Sequence, residues 1–432
     1  MTKLETDAAD DDAMPPRWRR NTAVFLTGQT ISLFGSMIVQ YAVMWYVTLE
    51  TRSGVAVALY AIAAFLPQGI VSIFGGTLAD RMNRRVLVMV SDGAIAAATL
   101  GLAMLMLNGV TDLWVILVAV GVRSIGAGVQ TPAVQAMIPQ IVPTDRLMRV
   151  NGLFQTIQSA LALLAPAVAG VVFGTFGIVP VFFLDVVTAA IGIGLLALVA
   201  VPTLSAVAES TTGFREDLVE GARYIWHHAF VRWLMIVFAV IFLLTVAPSF
   251  ITPLMVARTW GAEVWMVTVL ELAFSVGMLA GGVLVSTVLA KRSRIGLIVG
   301  STFAFAVLTV VLGLSPSLWF FYAVMFLVGL AVPLFSTSFM TLIQETVAPE
   351  RHGRVFGYVS IVMALATPLG MAVFGPLADV VSVRVLLVGA GVLAAVVMVV
   401  AVSVPSGRSA IRAASRGATP AEAAAEVESA AR

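Results

Sequence analysis

The stretch that decides the fold is Gly76-Thr77-Leu78-Ala79-Asp80-Arg81-Met82-Asn83-Arg84-Arg85. It lies between two long hydrophobic runs and places one Asp and three Arg within six residues. Helices that cross a bilayer have to be joined outside the hydrocarbon. A joint this densely charged is predicted to be a tight basic loop with a job beyond spacing, a charge lock between two crossings.

The rest of the chain fits that reading. Its 432 residues are 60% hydrophobic and 11% charged, against about 25% charged in soluble proteins. That leaves too little polar surface to cover a water-soluble globule, so the chain reads as a polytopic membrane protein. Stretches of roughly 20 apolar residues are the unit of crossing. Twelve are predicted, at 21–49, 54–78, 86–107, 113–138, 147–173, 178–201, 231–256, 262–289, 295–315, 317–343, 354–375 and 383–404. The predicted class is an all-α membrane protein of twelve transmembrane helices. Residues 1–20 form a polar N-terminal segment and 21–201 and 231–404 two six-helix bundles. Residues 202–230 form a linker, and 405–432 an Ala-, Ser- and Glu-rich tail expected to be disordered. In the linker, Phe214, Leu218, Ala222 and Ile225 recur at helical spacing, which predicts an amphipathic helix at the membrane surface. No cleavable signal peptide is predicted, since no short apolar core with a small-residue cleavage site opens the chain.

Lys and Arg fix the orientation. With the N-terminus inside, interior segments carry 21 of them and exterior segments 3, namely Arg52, Arg258 and Arg384. Both termini are therefore expected in the cytoplasm. The chain also repeats: Arg146-Leu147-Met148-Arg149-Val150-Asn151-Gly152 opens span five, and Arg351-His352-Gly353-Arg354-Val355-Phe356-Gly357 opens span eleven, 205 residues later. Two similarly oriented halves suit alternating access by rocking.

Several chemistries are excluded. There is no cysteine, hence no disulfide and no thiolate site. The two lysines, Lys3 and Lys291, lie in no G-x-x-x-x-G-K-[ST] loop, and the three histidines form no H-E-x-x-H pattern. No nucleophile–base pair or metal cluster stands out. The chain is expected to be no enzyme, with no cofactor, no metal and no nucleic-acid partner. Arginine outnumbers lysine 23 to 2, which points to a GC-rich bacterial source.

Gly76, Leu78, Ala79, Asp80, Arg81, Arg84 and Arg85 resemble the G-x-L-A-D-R-x-G-R-R signature of the major facilitator superfamily. Asn83 stands in place of the second Gly, a residue that also tolerates the left-handed conformation. The segments Arg123–Ala133, Ile138–Pro143, Gln344-Glu345, Gly353–Phe356 and Gly375-Pro376-Leu377-Ala378-Asp379 resemble the macrolide-efflux and enterobactin-exporter branch. In span five, Gly152, Pro166 and Gly170 fit the drug-antiporter pattern, while Leu161, Ala165 and Ala169 replace glycines. The resemblance covers roughly residues 17–404. It implies a gating loop formed by Gly76, Leu78, Asp80, Arg81, Arg84 and Arg85, with Asp80 meeting a helix N-terminus and the arginines meeting acids or lipid phosphates. It also implies that Arg123 serves proton-linked transport.

Charges inside spans cost roughly 2.5–3.5 kcal/mol each at a helix centre. The proton-coupling candidates are Glu271, Arg123, Asp185 and Asp92. Glu271 leads, as a proton or cation site near mid-membrane, and Asp92 is expected to pair with the nearby arginines. Polar stripes predict a cavity wall from Gln29, Ser32, Ser36 and Gln40 in span one, Asn151, Gln155 and Gln158 in span five, and Gln130 in span four. Met44, Phe154 and Phe274 supply apolar contacts. Together these features predict a monomeric secondary active transporter in a bacterial inner membrane. It would export a small, partly apolar, drug-like or siderophore-like compound in exchange for protons. The rivals are an importer or lipid flippase on the same fold, or the permease partner of a separate ATPase.

Overall fold

A computed structural model describes residues 17–201, 214–290, 292–348 and 351–415, with residues 422 and 427. Among the described residues helices predominate, and twelve of them are long and apolar enough to cross a membrane. They are α1 Trp18–Thr51, α2 Gly54–Arg81, α3 Arg84–Leu107, α4 Leu113–Ile141, α5 Leu147–Phe176 and α6 Ile178–Ala197. After the linker helix α7, Phe214–His227, come α8 Ala229–Thr259, α9 Val264–Ser286, α10 Arg294–Gly313, α11 Leu318–Thr346, α12 His352–Val380 and α13 Val383–Ser403. Thus α8 to α13 are spans seven to twelve. A last helix, α14, covers Pro405–Ser415.

The chain forms two compact units, Met1–Val47 with Ala63–Glu209, and Thr48–Ile62 with Ser210–Arg432. Helix α2 therefore starts in the second unit and continues in the first. In the first unit α3 packs on α4 and α6, over a core that includes Phe25, Val88, Met137, Ile141 and Leu196. In the second, α9 packs on α11, α10 on α11 and α13, and α8 on α12 and α13. Its core includes Phe230, Leu234, Phe238, Phe339, Val359 and Met398. Apolar side chains such as Val118, Val171, Val283 and Val373 point outward, as expected of a surface whose solvent is lipid.

The helix ends depart from the sequence reading. The signature stretch is mostly helix, because α2 runs on to Arg81 and α3 starts at Arg84. Asn83 is not left-handed. It has φ −62° and caps α3, its side chain accepting from the backbone N–H of Arg85 at 3.1 Å and Val86 at 3.4 Å. An Asn at this position satisfies orphan helix donors, a role a Gly side chain cannot play. The tail also differs. Residues 405–415 form α14, with a Pro at its first turn and with Ala410 and Ala413 buried against the second unit. The rest of the tail lies largely outside the described residues. In α7 the packed face carries Gly221, Tyr224 and Ile225, while Ala222 is exposed. Glu220 pairs with Arg354 of α12 at 2.8 Å, and the Arg351 guanidinium lies 4.7 Å from the centre of the Tyr224 ring. The side chains of Phe214 and Leu218 lie outside the description.

Small residues set how closely α9 and α11 approach. A methyl group on Gly329 would lie 2.2 Å from the carbonyl oxygen of Phe274, and one on Gly281 would lie 2.3 Å from that of Leu330. Backbones meet here, as small-residue motifs permit between membrane helices. Gly329→Ala is expected to lower stability by about 1–3 kcal/mol through overpacking. Gly282→Ala, where a methyl group meets nothing within 4 Å, is expected to be neutral or to gain up to about 1 kcal/mol. Thermal unfolding of the two variants in detergent checks this; equal melting points would contradict it.

Candidate functional site

The first unit buries two aspartates and one arginine among four helices. Asp185 of α6 is fully buried and pairs with Arg123 of α4 at 2.5 Å. Its Oδ2 also accepts from Thr99 Oγ1 of α3 at 2.9 Å, and its Oδ1 from Ser36 Oγ of α1 at 3.1 Å. Arg123 donates to Thr99 as well. Seven residues before Thr99 on α3 lies Asp92, only 2% exposed. Its Oδ1 accepts from Ser32 Oγ at 2.9 Å and from Gln130 Nε2. Gln130 lies seven residues beyond Arg123, so two helical turns separate an Arg–Asp layer from an Asp–amide layer on the same faces of α3 and α4. Gln29, also fully buried, sits three residues before Ser32. Ser32 and Ser36 of the α1 stripe are thus tied into a buried hydrogen-bond network. Asp92 is held by a hydroxyl and an amide, while Arg84 and Arg85 bond elsewhere.

Those arginines find backbone carbonyls. Arg84 donates to the carbonyl of Ala136 in α4 at 2.7 Å, and Arg85 to that of Ala197, the last residue of α6. A cation at a helix C-terminus is favoured by the helix dipole. Leu78 is 38% exposed. The side chains of Gly76, Asp80 and Arg81 lie outside the description. Met44 and Phe154 are buried, Phe154 within the core of the first unit. Gln40, Asn151 and Gln155 are exposed and Gln158 is half-buried.

The second unit encloses a cavity of about 220 Å³. Seven phenylalanines line it: Phe238, Phe242, Phe250, Phe274, Phe305, Phe335 and Phe339. Phe238 of α8 stacks on Phe339 of α11, with ring centres 4.2 Å apart and planes 13° apart, and Phe335 lies nearly parallel to both. Thr245, Ser301 and Thr302 also line it, and their hydroxyls donate to carbonyls of their own helices. Ser249, Ser336 and Thr367 add further hydroxyls to the lining. Among the described lining residues Glu271 alone is ionisable. Of the residues that the sequence singles out, only Glu271 and Phe274, one turn apart on α9, line this cavity. The other six phenylalanines carried one signal, the i, i+4 pairs Phe238/Phe242 and Phe335/Phe339. In a membrane helix that pattern fits packing or lipid contact equally well.

The family described as transmembrane secretion effector matches residues 15–431. The chain belongs to this family of the major facilitator superfamily. It is similar to macrolide efflux protein A of Streptococcus pyogenes, with 29% identity over 85% of this chain and 91% of that protein. It is also similar to the multidrug efflux pump Tap of Mycobacterium bovis, with 25% identity over 78% of this chain and 81% of that one. Among solved structures, a POT family transporter in complex with a thioalcohol-conjugated peptide superposes at TM-score 0.70, with 11% identity over 90% of this chain and 97% of that chain. A bacterial homologue of the human lysosomal transporter Spinster, inward-facing and unoccupied, gives TM-score 0.64 at 15% identity, over 97% of this chain and 98% of that chain. At these identities the structures show the fold alone. The protein is a multi-pass facilitator-superfamily transporter and not an enzyme.

Within this transporter the Arg123–Asp185 pair is buried, and removing one partner strands the other. Asp185→Asn is expected to cost about 3–5 kcal/mol and to lower the melting temperature sharply. Asp185→Leu combined with Arg123→Met removes both charges and is expected to recover most of that loss. Thermal unfolding of single and double variants tests this; a double variant no better than Asp185→Asn would show that the pair is not the stabilising unit.

Proposed function

We propose that the protein exports small, partly apolar molecules by proton antiport across the bacterial inner membrane, with both termini cytoplasmic. The observation that carries this reading is the aromatic cavity with its single carboxylate. Stacked phenylalanines offer flat, adaptable apolar contact, and their faces favour cations. Glu271 adds the charge that holds a basic nitrogen or, in its place, a proton. One carboxylate that takes either but not both couples their movements in opposite directions. The efflux names of the relatives support export over import.

Size narrows the class. Pockets for drug-sized ligands span about 300–1,000 Å³, so a cavity of about 220 Å³ takes one apolar arm of a substrate and leaves the remainder elsewhere on the path. Gln40, Asn151, Gln155 and Gln158 are the polar groups proposed to line that path. In the first unit, Asp185 and Asp92 are the proposed proton relay, with Arg123 as the ion-pair partner of Asp185. Gly76 to Arg85 is the proposed cytoplasmic gate. A membrane potential of 100 mV supplies about 2.3 kcal/mol per charge moved, enough to drive several-tenfold gradients. A single chain holds all of these parts, and the proposed working unit is the monomer.

Efflux of a panel of lipophilic amines and their neutral isosteres, with and without an uncoupler, tests the proposal. Amines are expected to be exported and the uncoupler to abolish their export. Glu271→Gln is expected to lose the uncoupler-sensitive part. Full proton-driven export by Glu271→Gln would remove the coupling role from Glu271. No change in accumulation of any compound on deletion of the protein would overturn the export reading.

A further inference from the structure

The second unit has another pocket, which shares no lining residue with the aromatic cavity. It lies where α7 meets the starts of α8 and α12 and spans about 700 Å³. By the parity of the crossings, those two starts lie on one membrane face, the face on which α1 begins.

Two cations line it, Arg223 of α7 and Arg351, the residue that opens α12. Among the described residues neither meets a carboxylate, because the acid in the lining, Glu220, is already paired with Arg354 at 2.8 Å. Arg351 is placed by a ring: its guanidinium lies 4.7 Å from the centre of the Tyr224 ring. Stacking on an aromatic face leaves the N–H donors in the guanidinium plane, where they fit two oxygens of one phosphate.

The carbonyls that end α7 would repel an anion, but side chains answer them. His227 Nδ1 donates to the carbonyl of Arg223 at 2.7 Å, His228 Nδ1 to that of Tyr224 at 2.9 Å, and Arg232 Nη1 to that of Trp226 at 2.5 Å. A carbonyl only accepts, so each imidazole carries its proton on Nδ1 and turns Nε2 to a ligand. Beside the arginines the surface is apolar. Val219, Ala222 and Trp226 are exposed, Trp226 at 68%, and with Arg223 they share one face of α7. Tryptophan with this exposure suits the boundary between headgroups and acyl chains.

We propose that this pocket binds the headgroup of an anionic phospholipid. Arg223 and Arg351 hold the phosphate, His227 and His228 accept from headgroup hydroxyls, and the acyl chains run beside Val219 and Trp226. Free phosphate offers the same oxygens, and the apolar stripe is what favours the lipid. A bound lipid joins the linker helix to the start of span eleven, since Arg223 belongs to one and Arg351 to the other. The site is independent of the transported substrate, the direction of transport and its coupling.

Native mass spectrometry of the full-length transporter released from micelles tests this by counting bound lipid during titration. Phosphatidylglycerol is expected to fill a single tight site, and phosphatidylcholine to bind roughly tenfold more weakly or less, the scale of losing a charge-assisted contact. Arg223→Gln and Arg351→Gln are each expected to weaken phosphatidylglycerol binding by roughly tenfold, and Arg223→Lys by less. Arg149→Gln removes an exposed arginine at the start of α5, outside the pocket on the same membrane face, and is expected to change nothing. Inorganic phosphate in excess is expected not to displace the lipid. Should Arg351→Gln, which gives up the Tyr224 contact, fail to fold as judged by size-exclusion chromatography, Arg223→Gln decides alone. Unchanged affinity in folded Arg223→Gln would overturn the proposal. So would an equal loss in Arg149→Gln, which would mean general charge attraction, or displacement of the lipid by inorganic phosphate.

Discussion

In hydrocarbon a charge without a partner is costly, and most of this transporter's functional reading follows from how its few buried charges are answered. In the first unit Asp185 is answered by Arg123, Thr99 and Ser36, and Asp92 by Ser32 and Gln130. Four helices contribute one or two groups each. Their mutual orientation is therefore fixed by polar contacts as much as by packing, because a rotation of any one would strand a charge. The second unit holds an aromatic cavity whose described lining includes one carboxylate, Glu271.

The number of spans and their order follow from solvent. Apolar runs and arginine positions report where lipid and water lie, and that information is written residue by residue. The ends of helices were less legible. Asp80 and Asp379 sit inside helices because a helix continues past the hydrocarbon once its first turns exist, and polarity does not stop it. Asn83 read as a glycine substitute because its tolerance of a turn is visible in sequence, whereas its capping bonds depend on the helix that follows. The segment 405–415 lacks the composition of a stable isolated helix. Burial of Ala410 and Ala413 against the second unit supplies what its composition does not.

The candidate site shows the same division. The stripe Gln29, Ser32 and Ser36 was visible as a stripe, since helical spacing is sequence information. Its target was not, because a polar face in a membrane helix serves a ligand path and an interhelical network equally well. Glu271 stood out as a lone acid in an apolar span. The phenylalanines around it did not, since hydropathy does not separate a ring that stacks in a cavity from one that faces lipid. Only the convergence of α8, α9, α10 and α11 turns them into a site. The same holds for Asp379, whose partners at Ser53, Gly54 and Val55 are more than 320 residues distant in sequence.

The central claim is that ligand and proton exclude one another at Glu271. Calorimetric titration of the purified transporter with a lipophilic amine, in buffers of different ionisation enthalpy, measures protons exchanged on binding. Near the pH at which Glu271 is protonated, the account expects about one proton released per ligand bound and none in Glu271→Gln. Amine binding by the unaltered protein with no proton release at any pH would contradict it.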